Sequence, residues 1–134
     1  MDVSVIIVNY NTKNLTSDCI QSVIDKTSGV DYEIILVDNA STDGSKEFFE
    51  NDVRLKYIYS DKNGGFGYGN NQGMEIARGK YLFLLNSDTV LLNNAIREFF
   101  DYAESHDEKR IYCCYLKGDA MQYVLFLLSR IYYC

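Results

Sequence analysis

Three nearly continuous apolar runs punctuate the chain, at residues 3–8, 33–37 and 81–85, the first two rich in Val and Ile and the third in Leu. Such runs read as strands covered on both faces. After the first, Leu15, Cys19, Ile20, Val23 and Ile24 recur at helical spacing and predict an amphipathic helix over 14–26, closed by Ser28 and Gly29. Residues 41–44 read as a turn whose side-chain oxygens cap a short helix over 46–50. Residues 55–60, with Tyr57 and Tyr59, form a more polar strand that suits a sheet edge. A glycine-rich stretch over 63–73 leads into a helix over 71–78 that Gly79 ends. Asn93 or Asn94 caps a last helix reaching Glu104, with Ile96, Phe99, Phe100 and Ala103 inward.

Strand and helix alternate four times. That predicts an α/β fold in three α/β/α layers: a mostly parallel sheet, helices on both faces and right-handed crossovers. The expected strand order is 3-2-1-4, which sets 3–8 beside 81–85. From about Arg110 the pattern changes. Residues 111–116 and 123–134 are apolar without an obvious partner, so the sheet reads as incomplete and the tail as a surface for self-association.

Length and charge narrow the function. A chain of 134 residues fits one domain with a real core. Its net charge of −6 argues against a general nucleic-acid binder, yet leaves room for a nucleotide whose diphosphate is neutralised by a metal. Cys19, Cys113, Cys114 and Cys134 contain no C-x-x-C spacing, which suggests reduced thiols in a cytoplasmic protein. No signal peptide or transmembrane segment is read from the sequence; the apolar stretch over 123–134 is too short to span a bilayer and contains Arg130.

Candidate chemistry gathers at the strand ends. The fourth strand ends in Asn86, Ser87 and Asp88, the second in Asp38, and the first in Asn9, Tyr10, Asn11 and Thr12. Open α/β sheets bind ligands at the carboxyl ends of their strands. A carboxylate there can hold a hard cation against a diphosphate. The glycine stretch lacks the G-x-G-x-x-G spacing and follows the wrong strand for a dinucleotide fingerprint. Small residues there would let the chain pass close to a sugar nucleotide, with Asn70 and Asn71 supplying amides.

Four segments now line up: VSVIIVNYN (3–11), ILVDNASTD (35–43), NGGFGYGNNQG (63–73) and GKYLFLLNSD (79–88). Their order and spacing resemble family 2 glycosyltransferases, nearest the rhamnosyltransferase-like branch, over residues 2–105. The resemblance implies a GT-A fold and inverting sugar transfer from a nucleoside diphosphate donor of uridine or thymidine type, with Mg²⁺ or Mn²⁺. It implies a glycan or lipid-linked acceptor, a role in surface-polysaccharide synthesis, and a place in the cytoplasm or at the inner face of the membrane. By position, Asn9 and Tyr10 line the base pocket, Asp38 accepts the base N3–H, and Asn71 lies near the diphosphate. Asn86 faces the ribose beside Ser87, and Asp88 binds the metal. Core packing is the competing role for Tyr10, and a turn cap for Asp38. The family's general base has no clear counterpart, Asp119 being the nearest candidate. Two rival readings follow: a truncated, non-catalytic nucleotide-binding module, and a nucleotidyltransferase, which would want a more basic first loop than one carrying only Lys13.

Overall fold

The computed structural model describes residues 1–106 with side chains, and the backbone of 111–115 and 124–129. The elements run β1 (Val3–Asn9), α1 (Lys13–Lys26), β2 (Tyr32–Asp38), α2 (Ser45–Phe49), β3 (Leu55–Tyr59), α3 (Gly65–Ile76), β4 (Tyr81–Asn86) and α4 (Ala95–Ser105), then β5 (Ile111–Tyr115) and β6 (Val124–Ser129). The sheet order is β3-β2-β1-β4-β6-β5. The first four strands are parallel and stand in the expected 3-2-1-4 order, with Val3 opposite both Tyr32 and Tyr81. β3 lies at an edge, as its polar character suggested.

Every residue of β1 is buried. Its side chains alternate between two cores. Val3, Val5 and Ile7 join α1, α2 and α4 through Cys19, Ile20, Val23, Phe49 and Ile96. Ile6 and Val8 face Met74 and Ala77 of α3 and its end. Burial on both faces is why this strand reads as continuous rather than alternating.

Two expectations change. The helix placed at 71–78 begins at Gly65, so most of the glycine stretch is helical. A Cβ on Gly69 would stand 2.7 Å from Val8 Cγ1, and one on Gly73 2.5 Å from Ile6 Cγ2. These two glycines, four apart on one helix face, allow α3 to lie directly on β1. Their spacing serves that contact. The second change concerns the tail. Residues 124–129 do have a partner in the chain: β6 runs antiparallel to β4, with Tyr81 opposite Ser129 and Leu84 opposite Phe126, and β5 pairs with β6. The free edge of β4 is thereby covered. Asp119, Arg130 and Cys134 lie outside the described residues, as do the side chains of Cys113 and Cys114. Among the described residues, no helix is long and apolar enough to cross a membrane.

Candidate functional site

The parallel strands β1, β2 and β4 end together, because Asn9 is in register with Asp38 and Val8 with Asn86. The three polar strand ends therefore form one rim. Hydrogen bonds lace their loops. Asn9 Nδ2 donates to Ser41 Oγ at 3.1 Å, and the Asn11 N–H donates to the same oxygen at 2.9 Å. Asn11 Oδ1 accepts the Thr42 N–H at 2.7 Å, and Asp43 Oδ2 accepts the Lys13 N–H at 2.9 Å. Asn11 and Ala40 sit at φ 53° and 63°, left-handed conformations that side chains usually avoid. The strain falls in the two loops that lock together.

Asn9 is fully buried, and its Oδ1 accepts from the hydroxyls of Thr12 and Thr16, each at 2.9 Å. Its side chain thus holds both the turn into α1 and the loop after β2. Thr12 Oγ1 continues the chain to Ser87 Oγ at 3.2 Å, joining the β1 and β4 ends. Tyr10 is 48% exposed, so the competing core-packing role is not what it does.

Asp38 is 0% exposed. Its Oδ1 accepts the Ser41 N–H at 2.8 Å and its Oδ2 the Tyr57 hydroxyl at 2.9 Å. The turn-cap role considered for Asp38 is thus present, and Tyr57 is a partner the sequence reading missed. Only the sheet register could have found it: Tyr57 stands opposite Leu36, two residues before Asp38 and on the same face. Burial and the Asp38 carboxylate push the Tyr57 hydroxyl far above the ordinary phenol range. It stays protonated and donates.

Asn86 and Ser87 are half-buried and Asp88 is exposed. Asp88 enters no ion pair among the described residues. Cys19 lies beneath this turn, its thiol 3.5 Å from the Asn86 carbonyl oxygen, and is pushed up to about 12, first by burial and then by the Asp88 charge. Asn71 is exposed on α3. Asn70 is buried and donates back to the Phe66 carbonyl, so it serves the helix. Asn39 Nδ2 donates to the Gly65 carbonyl at 3.0 Å and ties the start of α3 to the end of β2.

No cluster of three or more His, Cys, Asp or Glu side chains stands ready for a metal among the described residues. At the end of β4, Asp88 offers a hard, exposed carboxylate. That suits Mg²⁺ or Mn²⁺ bound through one carboxylate, waters and substrate phosphates, rather than a site made wholly of protein ligands.

The arrangement can be set beside known proteins. The sequence model of Glycosyl transferase family 2 matches residues 4–132. The chain belongs to that family. Poly(ribitol-phosphate) beta-glucosyltransferase of Bacillus spizizenii is 32% identical over 114 residues, covering 79% of this chain and 18% of the enzyme. TarS of S. aureus, solved in complex with UDP-GlcNAc, superposes with a TM-score of 0.70 at 24% identity, over 81% of this chain and 33% of that one. The mannosyltransferase PcManGT of Pyrobaculum calidifontis, solved with GDP-Man and Mn²⁺, does so with a TM-score of 0.63 at 22% identity, over 69% of this chain and 29% of that one. Both structures share the GT-A fold of this family 2 chain. The chain spans about a third or less of the length of its relatives.

Proposed function

We propose that the rim formed by β1, β2 and β4 binds the nucleoside diphosphate of a sugar donor for inverting transfer to a glycan or lipid-linked acceptor in surface-polysaccharide synthesis. One observation carries this reading: register alone brings Tyr10, Asp38 and the Asn86–Ser87–Asp88 turn to the same end of the sheet. That end is where α/β sheets bind ligands. The family membership supports the reaction class, and the solved complexes of two proteins with this fold support a nucleotide sugar as the ligand class.

Within this reading, exposed Tyr10 stacks on the base and Asp38 accepts its imide N–H. Asp38 is enclosed, so a base reaches it by parting the loops over 9–12 and 39–42. Asn9 contributes by fixing the first of those loops. Asn86 and Ser87 face the ribose, and Asn71 the diphosphate. In the transfer, the acceptor oxygen forms a bond to the anomeric carbon as the carbon–oxygen bond to the diphosphate breaks. The acceptor proton passes to a base. A divalent cation held by Asp88 would supply charge neutralisation for the departing diphosphate.

Asp38→Ala tests the base contact. It removes a buried acceptor, so UDP affinity should fall by about 1–3 kcal/mol. Titration calorimetry showing unchanged affinity, with the fold retained, would refute the assignment.

A further inference from the structure

Asp38 already has its protein partners, and all are donors. Ser41 and Tyr57 each take one lone-pair position, on different oxygens. No cation pairs with this carboxylate among the described residues. An ionised carboxylate has about four acceptor positions and no donor. The positions left open at Asp38 can therefore welcome only another N–H or O–H. Tyr57 comes from the neighbouring strand, its ring half-buried against the core that holds Leu36 and Phe49. Its hydroxyl is fixed in place by the sheet rather than by a mobile loop.

We propose that Tyr57 is a positioning residue that sets base selectivity: by occupying Oδ2 it holds the Asp38 carboxylate in one orientation as an acceptor. The site then takes nucleoside diphosphates whose pyrimidine presents an imide N–H, as uracil and thymine do. It disfavours cytosine, whose ring nitrogen at that place is itself an acceptor and would meet the carboxylate lone pair head-on. Loss of the Tyr57 hydroxyl would leave Oδ2 buried without a donor. Without that donor the carboxylate is held only through Oδ1, by the Ser41 N–H, and is free to turn, so its lone pairs are no longer aimed at an imide N–H. This inference rests on the donor-binding reading above, and its test separates the two.

Wild type, Tyr57→Phe and Asp38→Ala are titrated with UDP and with CDP by calorimetry, with circular dichroism to verify the fold. Wild type should prefer UDP by roughly tenfold or more, the scale of one buried hydrogen bond gained or opposed. Tyr57→Phe, which keeps the packed ring, should lose most of that preference. A Tyr57→Phe protein that weakens both nucleotides equally, or retains the wild-type preference, overturns the proposal. So does a wild type that binds UDP and CDP alike, which settles the matter even if the variant does not fold. If Asp38→Ala keeps full UDP affinity, or wild type binds neither nucleotide, the donor-site reading itself fails. If Asp38→Ala loses affinity while Tyr57→Phe keeps its selectivity, only the role of Tyr57 falls.

Discussion

Glu33 shows how a single buried side chain can fasten three elements at the end of the sheet opposite the site. Its Oε1 accepts from the Ser4 hydroxyl and from the Arg78 N–H at 2.7 Å, while Oε2 pairs with Lys56. Burial raises the carboxyl's pKa, but the bonds from Lys56, Ser4 and Arg78 outweigh it and hold the group below its usual 4.5. A depressed folded-state pKa contributes stability above the unfolded value and loses it as pH falls through the folded value. Glu33→Ala should therefore cost about 1–3 kcal/mol at neutral pH, mostly from buried groups left unpaired, with the half-exposed lysine adding little. Its deficit relative to wild type should shrink as pH drops below 4.5, as denaturant melts at several pH values would reveal. A deficit constant down to strong acid would contradict this role. Residues of this kind mark the limit of sequence reading. The polar strand ends were legible because Asn9, Tyr10, Asp38 and Asp88 interrupt apolar runs. Their separate duties were not: Asn9 and Tyr10 are adjacent in sequence, yet one is buried and bonded and the other exposed. Ser41 and Tyr57 become partners of Asp38 only when a turn closes and two strands pair.

At the scale of elements, α3 depends on having no side chain where it crosses β1. Gly73→Ala would place a methyl 2.5 Å from Ile6 Cγ2. Overpacking of that kind costs typically about 1–3 kcal/mol, more than the roughly 1 kcal/mol that Ala gains over Gly in a helix interior. Gly67 belongs to the same helix, but a Cβ added there would meet nothing within 4 Å. Gly67→Ala should thus stabilise by about 0.5–1 kcal/mol, while Gly73→Ala destabilises. Thermal melts of the two variants moving in the same direction would contradict the packing account. The start of α3 escaped the sequence reading because glycines are poor helix formers; tertiary contact with β1 overrode that preference. The strands and α1 were legible because their apolar periods are strong and agree with burial.

For the whole molecule, the 3-2-1-4 core sets the polar ends of β1, β2 and β4 on one rim and the Glu33 fastening at the opposite end of the sheet. The antiparallel β6 was not legible as a partner of β4, since sequence period does not say which edge an apolar run will cover. The order of β1, β2 and β4 gives the site its composition, and Asp88 is the proposed metal-binding carboxylate on that rim. The most direct test is nucleotide calorimetry with and without Mn²⁺ on wild type and Asp88→Asn. Mn²⁺ should strengthen UDP binding in wild type, and Asp88→Asn, correctly folded, should lose most of that enhancement while retaining its metal-free affinity. Equal enhancement by Mn²⁺ in both proteins would contradict it.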